Sequence, residues 1–263
     1  MPEGDTVYRA AAKLDRALSG HVLTTTDFRV PAFATHDLTG GTVLRTLSRG
    51  KHLLTRIDHE RPWTLHTHLK MEGSWHVYPD GERWRRPDVQ VRVVLGVQGT
   101  QAVGFQLGVV ELIPRAAEHD VVGHLGPDLL GHDWDEERAL ANLRDQPDRP
   151  IGQALLDQRN LAGIGNMYMA ELCFTMGVNP AAPVASVAQL PRLVRRGKQM
   201  LEVNKERAIQ STTGNLRERE RMWVYRRDRS PCRRCGTSIV VTMQGEPGRE
   251  RAAYWCPSCQ PER

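Results

Sequence analysis

The sequence predicts an α+β chain of two domains: an N-terminal helix with an antiparallel β-sandwich, then a helical domain ending in a four-cysteine β-hairpin. Three observations lead there. Val7, Ala11, Leu14 and Leu18 recur at helical spacing. Gly and Pro break the stretch from His21 to about Ile113 into short β-rich runs. Two C-x2-C pairs close a chain whose middle is helical in pattern.

The first helix is expected to start at Asp5 or Thr6, either of which can serve as N-cap, and to stop at Gly20. The β-rich text follows, in runs such as Gly41–Thr46, His52–Ile57 and Val89–Val94. Beyond Pro114 the pattern turns helical to about Arg227, most clearly over Glu136–Leu143, Ile151–Gln158, Met167–Met176 and Leu190–Ile209. From Asp228 strand-like text returns: Thr237–Met243 outward, a turn through Gly245-Glu246-Pro247-Gly248, and Glu250–Trp255 back. The expected divisions are 1–114 for the sandwich, 115–227 for the helices and 228–263 for the cysteine hairpin.

Composition narrows the function classes. No apolar run approaches the roughly 18–20 residues that span a bilayer, and Met1-Pro2-Glu3-Gly4-Asp5 lacks the features of a signal peptide. A cytosolic protein is expected. The formal net charge is +5, and its location is informative. From Asn215 onward there are 11 arginines against 6 acidic residues, while residues 1–214 balance at 25 and 25. An excess confined to the last fifth of the chain suits a polyanion, with nucleic acid the leading partner and a solvated basic tail the alternative.

Cys232-Arg233-Arg234-Cys235 and Cys256-Pro257-Ser258-Cys259 are two knuckles separated by 20 residues. Four thiolates at this spacing match one tetrahedral structural Zn²⁺, and disulfides are disfavoured in a reducing compartment. Such a ribbon does not by itself indicate an enzyme. The fifth cysteine, Cys173, lies in an apolar helical stretch and reads as a buried core residue. Leu161-Ala162-Gly163-Ile164-Gly165-Asn166 sets a glycine-rich turn directly before a helix. Backbone N–H groups at a helix start suit a phosphate, and Asn166 at the N-cap can add its amide. An ordinary tight interhelical turn has the same text.

Together, four segments resemble the formamidopyrimidine-DNA glycosylase / endonuclease VIII family: Met1-Pro2-Glu3-Gly4, Ser48-Arg49-Gly50-Lys51-His52-Leu53-Leu54, the stretch Leu155–Phe174, and the cysteine ribbon with Arg251 before its last knuckle. Gly126-Pro127-Asp128-Leu129-Leu130 adds a weaker fifth. They span nearly the whole chain in the family's order. The resemblance implies a helix–two-turn–helix motif in the helical domain, a catalytic sandwich domain, and a monomeric base-excision-repair enzyme of the bacterial cytosol. Such an enzyme acts on damaged DNA and needs no small-molecule cofactor.

The expected activity is that of a bifunctional DNA glycosylase and abasic-site lyase. It works through a Schiff base on the N-terminal proline, followed by β,δ-elimination. The chemistry makes independent sense: an α-amine has a reference pKa of about 7.7–8.0 against about 10.4 for lysine, so it is unprotonated far more often at neutral pH. Removal of Met1 would expose the secondary amine of Pro2. The resemblance makes Glu3 a general acid/base and places Lys51 on a hairpin tip near the damaged nucleotide, holding a phosphate and donating a proton during β-elimination. Arg251 would clamp phosphates beside the lesion and assist the second elimination. The zinc shapes the hairpin and takes no part in catalysis.

His68-Leu69-Lys70-Met71-Glu72-Gly73 resembles the loop that fills the space of an extruded base, with Met71 as wedge and Lys70 beside it. Taken singly, each piece has a plainer reading: Met-Pro is a start, Lys51 a solvated turn lysine, Met71 a core residue.

The chain also departs from the family. Thr6 stands where a glutamate is usual and Asp5 where a proline is, so Thr6 has no carboxylate chemistry and is left with helix capping. Gly104-Phe105-Gln106-Leu107-Gly108 lacks the Arg-Arg-Phe-Gly segment of the purine-repairing branch, which points to the endonuclease VIII branch and oxidised pyrimidines. His124 stands where that branch often has a phosphate-binding arginine. Gln106 has no reading in the sequence. Two further functions stay open: an abasic-site lyase with poor base excision, and a non-catalytic binder of damaged DNA.

Overall fold

Short strands rich in buried side chains organise residues 2–124 in the computed structural model, which describes residues 2–248 and 250–261. The elements are α1 (Gly4–Leu18), β1 (Thr25–Phe28), β2 (Thr42–Arg49), β3 (His52–Asp58), β4 (Pro62–His68), β5 (Ser74–Pro79), β6 (Val91–Val97), β7 (Thr100–Phe105), β8 (Val109–Pro114) and the short α2 (Glu118–Val122). They form two antiparallel four-stranded sheets, ordered β2-β3-β4-β8 and β1-β6-β7-β5. Leu53, Ile57 and Leu65 of the first sheet share a core with Val93, Leu95 and Ala102 of the second, and Val7, Ala11, Leu14 and Leu18 turn the apolar face of α1 into it.

The start of α1 differs from the expectation. Its N-cap is Glu3, in extended backbone, and Asp5 and Thr6 lie within the first turn. Asp5 is buried there, where the partial positive charge of the helix start favours a carboxylate, so the helix begins earlier than a capping Asp5 would allow. Thr6 therefore does not cap the helix; its hydroxyl donates to Asp5 at 3.5 Å. At the other end Ser19 is the C-cap and Gly20 follows at φ +81°.

The chain divides into two units at His124/Leu125, ten residues past Pro114. Glu118 accounts for the extension: it accepts Nε and Nη2 of Arg56 at 2.9 and 2.6 Å and the hydroxyl of Thr64, tying the segment after β8 to the sheet.

The second unit holds α3 (Glu136–Arg144), α4 (Ile151–Leu156), α5 (Asn166–Met176), α6 (Leu190–Asn204) and the hairpin β9 (Val240–Gln244) and β10 (Arg251–Trp255). Asp135 caps α3 by accepting the Arg138 N–H at 2.9 Å. α5 is buried from Asn166 to Phe174, the pattern of a helix surrounded on all sides. Cys173 is fully buried, and burial pushes its thiol up to about 12. The hairpin belongs to the same unit, with Ala253 inside the helical core. α6 stops at Asn204 and not at Ile209, because the Asn204 amide donates to Met200 O and Ser211 O and its oxygen accepts Ser211 N–H, which turns the chain. The text to Arg227 has only a short 3₁₀ turn, Glu218–Glu220.

One carboxylate orders that stretch. Glu171, buried on α5, accepts the backbone N–H groups of Trp223, Val224 and Tyr225, each at 2.8 Å, together with the Thr212 hydroxyl. Burial pushes its carboxyl up, and these four donors oppose the shift. Glu171→Ala strands three donors and is expected to cost roughly 3 kcal/mol or more of stability, read by denaturant unfolding. A loss under about 0.5 kcal/mol would mean that the anchor contributes nothing. No helix among the described residues is long and apolar enough to cross a membrane.

Candidate functional site

In the first unit, β2 and β3 meet in a two-residue loop, Gly50-Lys51, with Gly50 at φ +57°. A loop that suits the twist of its strands needs a positive φ at this first position, which glycine supplies. Lys51 thus sits on a hairpin tip. The direction of α1 brings the chain start to the same level. Gly20 N–H donates to Val43 O, and Asp15 accepts Thr46 N–H, both at 2.7 Å, so the helix runs antiparallel to β2. The eleven residues from Asp15 back to Gly4 rise about 16 Å, the length of about five strand residues. Counted from Thr46, that reaches Lys51. Pro2, half-buried, and Glu3, fully buried, precede the helix at this end.

The loop after β4 carries the other predicted contacts. Lys70 takes a left-handed conformation at φ +52°, its N–H donates to His68 Nδ1 at 2.9 Å, and Met71 next to it is 56% exposed. Apolar exposure of that extent, on a loop and outside any strand, removes the core reading of Met71. His124 is exposed at the end of the unit. Lys70 and His124 both lie close enough to His52, and Lys51 and Lys70 close enough to His68, to disfavour protonation of these histidines.

Those histidines were not distinguished in the sequence. His52, His66 and His68 share one face of β3 and β4, where His52 is paired with His68 and Leu54 with His66. His52 Nδ1 lies 2.8 Å from His66 Nε2, and His66 Nδ1 lies 2.8 Å from Glu111 Oε2 on β8. The His52 and His68 rings meet edge to face at 5.1 Å. Burial first, and then the neighbouring cations and imidazoles, hold His52 down at about 3 and His68 at about 4. Both are uncharged at neutral pH. The signal available beforehand was the alternation His66-x-His68, which puts both rings on one face.

Gln106 also gains a reading. It stands at φ +45°, donates its N–H to Gln90 O and accepts Arg86 Nη1 at 3.1 Å. It shapes the corner after β7 by holding a cation from the chain itself.

In the second unit, the N-cap of α5 is Gly165, so Asn166 is the first helical residue and not the cap. Its Nδ2 donates to Ala252 O on β10 at 2.7 Å, while its Oδ1 is buried without a partner. The amide therefore joins the glycine-rich turn to the hairpin. Arg251, exposed, opens β10 opposite Gln244, at the strand end nearest the turn.

The four cysteines gather at the other end of the hairpin. Their sulfurs lie within 4.8 Å of one another, with Cys232–Cys259 at 3.9 Å and Cys235–Cys256 at 3.5 Å, and none is joined in a disulfide. Tetrahedral thiolates at about 2.3 Å from a common ion stand about 3.8 Å apart, so this donor set fits a metal ion.

Comparison with known proteins agrees with the geometry. Residues 1–106 match the formamidopyrimidine-DNA glycosylase N-terminal domain, and residues 125–217 match the formamidopyrimidine-DNA glycosylase H2TH domain. The chain is 55% identical to a probable endonuclease 8 2 of Streptomyces coelicolor, covering 99% of this chain and 94% of the other. It is 48% identical to the DNA-(apurinic or apyrimidinic site) lyase Nei2 of Mycolicibacterium smegmatis, covering 99% of each. In fold it is similar to the Lactococcus lactis Fpg solved with DNA containing an abasic site, with a TM-score of 0.81 at 21% identity, covering 99% of this chain and 100% of that one.

Proposed function

The chain belongs to the formamidopyrimidine-DNA glycosylase / endonuclease VIII family, and from that premise we propose that it excises oxidised bases from DNA and cuts the strand at the resulting abasic site. The observation that carries this reading is that, inside one unit, α1 runs antiparallel to β2 and so points its Pro2-Glu3 end toward the level of the Lys51 hairpin tip.

With Met1, which lies outside the described residues, removed, Pro2 presents a secondary amine just ahead of the start of α1. That amine attacks the anomeric carbon of the damaged nucleotide, the base leaves, and an iminium forms. Glu3, one residue on, moves protons at the sugar ring oxygen and the departing base. The iminium draws electrons from the C2′–H bond, and loss of that proton expels the 3′ phosphate; a second elimination releases the 5′ phosphate. Lys51 holds a phosphate and supplies a proton during the first step.

Asn166 and the glycine-rich turn take the DNA backbone in the second unit, and Arg251 takes the phosphates beside the lesion. Met71 fills the stack after the base leaves, with Lys70 and His124 on the phosphates near it. The cysteines hold a structural zinc that orders the hairpin. The names of relatives at 48–55% identity support the endonuclease VIII branch, and the missing arginine pair at Gly104-Phe105-Gln106 supports oxidised pyrimidines as the bases removed. The solved relatives in complex with DNA support damaged DNA as the partner, on which the chain acts as a monomer.

The test is borohydride trapping on a duplex with an abasic site or oxidised pyrimidine, followed by peptide mapping. An adduct on Pro2 is the expected result. An adduct on Lys51 moves the nucleophile, and no adduct from protein with a verified free Pro2 overturns the enzyme reading. Arg251→Ala is expected to keep its metal and lower cleavage about tenfold or more at the second elimination, so that the β-elimination product accumulates on a gel. Unchanged cleavage and affinity would remove Arg251 from the site.

A further inference from the structure

The hydrogen-bonded row Glu111–His66–His52 has no part in the scheme above. It runs from Glu111, whose side chain is 47% exposed, through buried His66 to half-buried His52, the residue that follows Lys51. We propose that this row is a proton conduit between the Lys51 tip and solvent, with Glu111 and His66 acting through His52. The inference rests on the Pro2 imine reading.

The polarity of the row follows from its donors. Glu111 as a carboxylate only accepts, so His66 donates from Nδ1; in the conducting tautomer its lone pair is on Nε2. His52 then donates from Nδ1 into that lone pair, and its own lone pair is left on Nε2. Burial and the surrounding His68, His66, His124 and Lys70 keep His52 uncharged. His68 has the opposite tautomer: its Nδ1 accepts Lys70 N–H, so its proton is on Nε2. The register supports a continuous path, since His66 pairs directly with Glu111 across β4 and β8, while His52 is the diagonal neighbour of His66 across β3 and β4.

Each transfer balances without an electron change. A proton taken up at His52 Nε2 is matched by passage of the His52 Nδ1 proton to His66 Nε2, then of the His66 Nδ1 proton to Glu111 Oε2, and finally by loss of a proton from Glu111 to water. The reverse run, from water to His52 Nε2, resets both tautomers and returns a proton to the site. A reaction that removes a proton from C2′ and supplies protons to a sugar oxygen and a leaving base uses both directions. The low proton affinity of His52 keeps a proton from dwelling on the row, which suits a carrier better than a store.

Glu111→Gln tests this directly, because glutamine still accepts the His66 N–H but does not carry a proton. Single-turnover strand cleavage at an abasic site is expected to fall about tenfold, part of the effect usual for positioned acid–base groups. Affinity for a duplex holding a tetrahydrofuran abasic analogue is expected to stay within about twofold, since no DNA contact changes. Rising imidazole concentration should restore the variant's rate and leave the wild type unchanged, and Glu111→Asp should retain most of the rate.

His66→Gln gives the same severed path from the middle and serves if Glu111→Gln folds poorly. Cleavage by Glu111→Gln at the wild-type rate, or rate and affinity lost together with no rescue by imidazole, would show the row to be a packing device and overturn the conduit. Borohydride trapping of the wild type in the same reactions separates the two readings. Absence of a Pro2 adduct there overturns the imine reading, whereas an adduct with unaltered Glu111→Gln cleavage overturns the conduit alone.

Discussion

Pro2→Gly is expected to lower both the borohydride-trapped adduct and strand cleavage by about 10²-fold or more, with affinity for an uncleavable abasic duplex within about threefold. The variant keeps an α-amine, so the loss comes from the kind of amine. A secondary amine gives an iminium that is cationic at every pH and draws electrons from C2′ throughout. A primary amine gives an imine that must first be protonated. The pyrrolidine ring also fixes the backbone directly before the buried Glu3, whereas glycine at this position leaves the nucleophile free to sample many directions. The measurement is single-turnover cleavage beside gel-resolved trapping, on protein whose N-terminus mass spectrometry has verified. Wild-type rates from Pro2→Gly would remove the N-terminal residue from the chemistry.

Cys256→Ser is expected to release the metal and disorder the hairpin while sparing the sandwich. Cys256 is fully buried in a small cluster with Ala170, Phe174, Val224 and Ile239, so the knuckle is continuous with α5 and the segment that Glu171 anchors. Losing one of four thiolates from a structural site forfeits much of a binding free energy that is on the order of 10 kcal/mol in small zinc modules. Zinc measured on purified protein should fall from one per chain to a small fraction, and DNA affinity about tenfold, as Arg251 and the Ala252 carbonyl that fixes Asn166 lose their frame. A variant that kept stoichiometric zinc would contradict the four-thiolate site.

Much of this was legible in the sequence because it is written locally. The period of Val7, Ala11, Leu14 and Leu18 places α1, and the C-x2-C spacing places the metal site. What was missed depends on neighbours distant in the chain. The cap of α1 moved to Glu3 because Asp5 is buried by tertiary packing. Asn166 was expected at a cap position, but it lies one residue inside the helix and donates to a carbonyl 86 residues away. The His52–His66–Glu111 row needs the register of three strands, and no single segment contains it. Gln106 became intelligible only once Arg86 was found against it.

The anchor formed by Glu171 has a consequence for how this region can evolve. It reads three peptide N–H groups and one hydroxyl, so at positions 223–225 it is blind to the side chains that those peptides carry. Substitutions there alter this anchor only if they remove an amide hydrogen, as proline does. Glu171 itself has no such latitude: a shorter acid does not span the gap, and an amide would set donors against donors. Divergent chains with this architecture should therefore keep the acid on the helix while the words of the loop that it holds drift.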